Sequence, residues 1–180
     1  MFAVATSFNQ GIGRWNTSQV TNMSQMFFRS NAFNRPIGKW DVSKVSDMSF
    51  MFNAAISFNQ PIGDWNVGNV LNMSNMFNLA RLFNQPIGAW DVSNVTNMRY
   101  MFYKAIAFNQ DLSNWCVSKI SSEPFYFSEM AYLLIASYHP VWGRECSVQE
   151  FPKISVVGSA VYDWNTDVYM ETEDGIYYNL

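Results

Sequence analysis

The sequence predicts an α/β solenoid, a right-handed stack of short strand–helix units followed by a C-terminal cap and a small antiparallel β extension. Two observations predict this fold class. Residues of the same type recur every 25 positions through residues 1–116, without a single insertion. Within each unit, the spacing of apolar residues changes from that of a strand to that of a helix. Because so short a unit cannot bury its apolar face alone, neighbouring units must stack.

The 25-residue period is carried by aromatic residues, methionine and asparagine. The most regular positions are Phe8, Phe33, Phe58, Phe83 and Phe108; Asn9, Asn34, Asn59, Asn84 and Asn109; and Trp15, Trp40, Trp65, Trp90 and Trp115. Self-similarity at a fixed period of this length indicates a repeat architecture. We expect the aromatic residues and the methionines to form the core. The asparagines are expected to hydrogen-bond along the stack or to cap its loops.

The second unit illustrates the elements that each unit is predicted to contain. In the segment Trp40–Val42, apolar and polar side chains alternate, which is the period of a half-buried strand. The apolar residues of Met48–Ala55 lie at positions i, i+3, i+4 and i+7, the spacing of one helical face. The segment Pro61–Gly63 then interrupts the helix and turns the chain into the next strand.

Composition and charge exclude several classes of protein. Only 14% of the residues are charged and 49% are apolar, which excludes an intrinsically disordered chain. The net charge of −3 provides no basic surface for nucleic acid. The longest apolar run, residues 130–138, is about half of a membrane span, so no membrane insertion is expected. One histidine and two cysteines fall short of a four-ligand metal site, and neither a metal nor a cofactor is expected.

The repeat resembles a known family. The segment Phe83–Met98 and the residues that follow it are similar to the 25-residue repeat first noted in mycoplasma proteins, which belongs to the BspA-like leucine-rich-repeat surface proteins. The similarity extends over residues 1–116, and Trp115–Ser118 with Pro140–Gly143 resembles the segment that closes such arrays. This resemblance implies a leucine-rich-repeat-like stack in a surface-exposed or secreted interaction protein, often an adhesin. It implies no enzymatic activity.

The predicted function is non-catalytic binding of a protein or glycan through the sheet face of the solenoid. The outward strand positions on either side of each tryptophan should form two columns on that face, and their side chains vary while the interior does not. The candidate ligand-binding residues are Arg14, Asn16, Lys39, Asp41, Asp64, Asn66, Asp91 and Asn114. The alternative interpretation is a solvated face without a ligand.

The two cysteines, Cys116 and Cys146, are interpreted as one structural disulfide that holds the cap on the array. Two free buried thiols are the alternative. A catalytic pairing of a cysteine with His139 lacks a recognisable nucleophile motif, and no other set of acid, base and nucleophile is evident. We therefore do not expect an enzyme.

Three regions are predicted: the repeat solenoid in residues 1–116, the cap in 117–150 and a β-rich extension in 151–180. The net charge changes from +3 in residues 1–116 to −6 in residues 117–180. In the extension, strands are expected near residues 154–157, 160–164, 167–172 and 176–178, with turns between them.

The alternative function is a structural assembly component, such as a virion or appendage protein, that self-associates through its N-terminal end and its β extension. Residues 1–5 are in register with residues 51–55, so the sequence starts within a unit rather than at its boundary. An internal methionine of a longer gene, a fragment, or a partner molecule that covers this end would each account for this. A cell-surface, secreted or virion-surface location is expected, although no signal peptide is visible.

Overall fold

The computed structural model describes residues 1–146, 169–171 and 177–179. The chain divides into two compact units, Met1–Cys146 and Ser147–Leu180. In the first unit, the regular secondary structure is one 3-10 helix, Ala136–Tyr138. In the second, strand β1 (Tyr169–Glu171) pairs antiparallel with strand β2 (Tyr177–Asn179).

The predicted α/β solenoid of strand–helix units is wrong. Across residues 1–146, which the structure describes without a gap, there is no α-helix and no extended strand. Each 25-residue unit is instead a succession of turns. Isolated parallel bridges connect Asn22 to Asp47, Asp47 to Asn72 and Asn72 to Asn97, so equivalent positions of consecutive units lie side by side.

The helix does not form because alternate backbone N–H groups donate to the next unit. The donors and acceptors are Met48 to Asn72, Phe50 to Ser74, Phe52 to Met76 and Ala54 to Asn78, with N···O distances of 2.7–3.0 Å. The N–H groups of Met51, Asn53 and Ala55 donate three residues back within their own unit, and that of Ser49 donates to the side chain of Asp47. An α-helix requires every N–H to bond four residues back, which this alternation prevents.

The succession of turns also requires left-handed backbone. Phe50 and Ala54 have φ of 57° and 55°, and equivalent residues of the other units adopt the same conformation. Such a conformation costs about 1–2 kcal/mol for a residue other than glycine. The left-handed conformation persists because hydrogen bonds to the neighbouring unit hold the backbone on both sides of each such residue. A turn, like a helix, brings residues three apart together, and this explains why the apolar spacing suggested a helix.

The strand predicted at Trp40–Val42 does not form either. Burial does alternate there, since Trp40 and Val42 are buried and Asp41 is exposed. However, no backbone–backbone hydrogen bond joins residues 40–42 to another unit in the described chain, and the Asp41 carbonyl instead accepts from the Thr17 hydroxyl at 2.9 Å. The units are connected here by a side chain, because the Trp40 Nε1–H donates to the carbonyl of Ile12 at 3.1 Å. Apolar alternation thus predicted burial correctly without predicting a sheet.

The core consists of two parallel stacks of phenylalanine rings. The rings of Phe27, Phe52, Phe77 and Phe102 lie 5.6–5.7 Å apart along one stack. Each pairs with a ring of the second stack within its own unit; for example, the centroids of Phe52 and Phe58 are 3.9 Å apart. Buried methionine, valine and isoleucine side chains fill the remaining space. A residue type that recurs in every unit therefore packs against the same residue type in the units before and after it.

The pattern of hydrogen bonds continues beyond residue 116, with one additional residue. Phe77 donates to Met101, 24 positions ahead, whereas Phe102 donates to Phe127, 25 positions ahead. We call residues 117–146 the terminal unit. There the ring of Phe127 meets Phe102 edge-on, at 85° and 5.4 Å, and so ends the parallel stack.

The two short strands of the second unit lie where two of the four strands of the extension were predicted. Their register pairs Tyr169 with Asn179 and Glu171 with Tyr177. The strands predicted at 154–157 and 160–164 lie outside the described residues.

Candidate binding surface

The eight candidate ligand-binding residues are all exposed. They do not lie on a sheet face, because the segments that contain them are turns and irregular chain. The prediction of a sheet face is therefore wrong. The residues still recur at equivalent positions of consecutive units, one on each side of the tryptophan. We call this set of eight residues the Trp-flanking surface.

In the first four units, the residue after the tryptophan accepts a hydrogen bond from the N–H two positions further along. Asn16 accepts from the Ser18 N–H at 3.1 Å, Asn66 from the Gly68 N–H at 3.2 Å and Asp91 from the Ser93 N–H at 3.0 Å. These contacts are Asx turns, in which a side-chain oxygen replaces a backbone acceptor. Each Asx turn holds the side chain in one orientation, and the second polar atom of that side chain takes no part in the turn.

The two aspartates of this column are held in the charged form. Hydrogen bonds from the hydroxyl and the N–H of Ser43 lower the pKa of Asp41, and Lys44 contributes to the same shift. Hydrogen bonds from Ser93 lower the pKa of Asp91 in the same way. Both side chains are thus carboxylates at neutral pH.

The column before the tryptophans changes charge along the stack. It passes from Arg14 and Lys39 to Asp64, and then to the uncharged Ala89 and Asn114. The preceding glycine lets the units approach closely here. A Cβ on Gly38 would lie 2.6 Å from the carbonyl oxygen of Pro61, closer than real contacts allow. The backbone therefore keeps the same close approach between units at the positions where the exposed side chains differ.

The repeated asparagines have a structural role. The side-chain oxygens of Asn9, Asn34, Asn59 and Asn84 each accept the N–H of the asparagine 25 residues later, at 2.9–3.1 Å. This ladder of side-chain acceptors fixes the register between units. It agrees with the expectation that the asparagines hydrogen-bond along the stack.

The structure brings the two cysteines to disulfide distance, with the Cα atoms of Cys116 and Cys146 5.3 Å apart and the two sulfurs paired. Cys116 occupies the position of Asp91 in the next unit, so the pair lies at the end of the Trp-flanking surface. The alternative of two separate thiols does not fit this geometry.

A polar cluster in the terminal unit was missed by the sequence analysis. His139 Nε2 lies 3.2 Å from Ser128 Oγ, and His139 Nδ1 lies 3.6 Å from a carboxylate oxygen of Glu123. The second distance exceeds that of a hydrogen bond, so the carboxylate does not orient the ring as a hydrolase triad would require. Because the three residues are separated by up to sixteen positions, only the folded register brings them together.

Neither a metal cluster nor a membrane span is found in the described part of the chain. No three His, Cys, Asp or Glu side chains there converge on one point. No helix there has the length and apolar character needed to cross a membrane.

These features define a protein built from stacked 25-residue units. A family model described as "Mycoplasma protein of unknown function, DUF285" matches residues 1–77 and residues 37–134. The chain belongs to this family. The resemblance to the mycoplasma-type repeat is thus confirmed, whereas a leucine-rich-repeat assignment is not. Comparisons with curated proteins and with solved structures gave no match.

Proposed function

We propose that this chain is a non-catalytic binding module that recognises a protein or glycan through the Trp-flanking surface. One observation carries the proposal: all eight side chains are exposed and differ in charge, while the scaffold beneath them is the same in every unit. The Asx turns of Asn16, Asp41, Asn66 and Asp91 hold four of these side chains in one orientation, which lowers the entropy cost of ordering them on a ligand.

The membership in a mycoplasma repeat family supports a location at the cell surface or outside the cell. In that setting, the Cys116–Cys146 pair would remain oxidised and would hold the terminal unit on the array. Adhesion is the role that best combines a rigid repeated scaffold with a variable outer surface.

The test is binding of the full chain to arrays of immobilised glycans and of extracellular proteins. The combined substitution Asp41→Asn, Asp64→Asn and Asp91→Asn should abolish the binding that the parent chain shows, without unfolding it. Asparagine keeps the Asx turn, as Asn16 and Asn66 show. A matched control is Asp47→Asn with Asp111→Asn, which changes two other turn aspartates outside the surface. Unchanged binding in the triple variant would contradict the proposal.

A further inference from the structure

Exposed apolar side chains form a ridge at repeat positions outside the Trp-flanking surface. This apolar ridge consists of Ile56, Leu82, Ile106, Tyr132 and Leu133, with exposed fractions of 36, 55, 46, 78 and 52%. Between residues 16 and 124, all of which the structure describes, Leu71 is the only other large apolar residue with such exposure. The terminal unit also exposes Phe125, Tyr126, Met130, Ile135 and Val141. Apolar side chains that are gathered in this way mark interaction surfaces.

Backbone hydrogen bonds show that the ridge runs over neighbouring units. The Leu82 N–H donates to the carbonyl of Ile56 at 3.3 Å. Beside the ridge, the Leu79 N–H donates to the carbonyl of Tyr103 at 2.8 Å and the Lys104 N–H donates to that of Glu129 at 2.9 Å, so the next segments also lie side by side. Four adjacent chain segments at about 4.8 Å spacing give the ridge a length of roughly 15 Å, about that of five extended residues.

The charges along the ridge are positive. Arg81 precedes Leu82 in the sequence, and Lys104 lies two residues before Ile106. The ridge segments 54–57, 79–82, 104–107 and 130–135 contain no aspartate or glutamate, and with Glu129, which directly precedes the last of them, the net charge of the ridge is still positive. The fitting partner is therefore an acidic segment that carries large apolar or aromatic side chains.

The chain itself contains a segment of this chemistry. Residues 159–180 include five acidic residues, five aromatic residues and no lysine or arginine. We propose that the apolar ridge binds residues 159–180 of a second copy. Because ridge and segment are different parts of the chain, a reciprocal exchange between two copies fills both ridges and closes a dimer. Aromatic side chains supply most of the buried area in such an interface, and the opposite charges select the partner.

The first experiment measures the mass of the full chain by sedimentation equilibrium over a concentration series. We expect a monomer–dimer equilibrium that weakens as the ionic strength rises. Leu82→Asp should weaken dimerisation about tenfold or more, because it places a charge at the centre of the ridge. The matched control is Leu71→Asp, since Leu71 is 50% exposed but lies outside the ridge. A monomer at every concentration, or an equal effect of both leucine substitutions, would overturn the proposal.

The second experiment identifies the occupant of the ridge. A synthetic peptide of residues 159–180 should compete with the full chain and convert dimer to monomer. The same peptide with its five acids replaced by their amides should not compete. If the peptide has no effect, the proposal is wrong. If the full chain then binds anionic phospholipid vesicles in a manner that Leu82→Asp abolishes, the ridge contacts a membrane surface.

Discussion

The repeated units in residues 1–116 and the terminal unit in residues 117–146 bury aromatic side chains in two different ways. In the repeated units, equivalent phenylalanines stack nearly parallel, with interplanar angles of 10° or less between Phe27, Phe52, Phe77 and Phe102. In the terminal unit, Phe127 stands at 85° to Phe102 and contacts Trp142 edge-on at 4.9 Å. A parallel stack always leaves a free ring face at its end. An edge-on aromatic ring covers that face without offering a new one.

The largest effect is expected from breaking the parallel stack at its centre. Phe77 is fully buried, and its ring contacts Phe52, Phe83 and Phe102 at 5.7, 3.9 and 5.6 Å. Phe77→Ala should lower the free energy of unfolding by about 3–5 kcal/mol, because it leaves a cavity between two units. Chemical denaturation measures this loss. The control is Phe125→Ala in the terminal unit, where the ring is 58% exposed. A similar loss in both variants would contradict the assigned core.

The second effect tests whether the terminal unit depends on its covalent attachment. Cys146→Ser should destabilise this unit by about 3–4 kcal/mol in the chain-entropy model, since the pair closes a loop of 30 residues. Hydrogen exchange should quicken at the N–H groups of Phe102 and Lys104, which donate to the terminal unit. Exchange at the Phe27 N–H, which donates to Met51, should not change. Uniform acceleration throughout the array would show that the two regions unfold as one.

The sequence predicted burial in the repeated units better than it predicted backbone structure. Phe52 and Trp65 were assigned to the core from their period alone, and both are buried. The predicted helices and strands were wrong because turns and helices share the i, i+3 spacing, and local periodicity does not show which N–H groups bond to another unit. The extra residue between Ile120 and Phe127 shifts the hydrogen-bond register, which the 25-residue period alone does not show.

The candidate surface was predictable in part. Exposure followed from the position of each residue beside a tryptophan. The Asx turns of Asp41 and Asp91 were also predictable from the sequence, since each aspartate precedes a serine by two positions. The apolar ridge was not predictable, because Ile56 and Leu82 are 26 positions apart and become neighbours only in the folded register.

A smaller effect is expected from the tryptophan side chains that connect the units. The Trp65 Nε1–H donates to the buried carbonyl of Ile37 at 3.3 Å, and Trp65 is 4% exposed. Trp65→Phe removes this hydrogen bond, while the Ile37 carbonyl keeps the N–H of Trp40 at 3.0 Å, and should cost about 0.5–1.5 kcal/mol in thermal or chemical unfolding. The matched control is Trp15→Phe, because Trp15 is 43% exposed. Equal losses at both positions would show that the hydrogen bond between units does not contribute to stability.

The smallest effect is a change in the pH dependence of stability, which distinguishes the turns that contain aspartate from those that contain asparagine. Hydrogen bonds from Ser43, Ser93 and Ser113 lower the pKa of Asp41, Asp91 and Asp111 below the usual 3.8. A lowered pKa in the folded state means that these turns contribute stability above pH 3.8, and that the contribution is lost as the pH falls through the folded pKa. Replacing the three aspartates by asparagine should therefore reduce the acid sensitivity of the denaturation midpoint. The units of Asn16 and Asn66 already contain the asparagine form of the turn, so the fold accepts it. An unchanged pH profile in the triple variant would show that these three carboxylates do not govern acid unfolding.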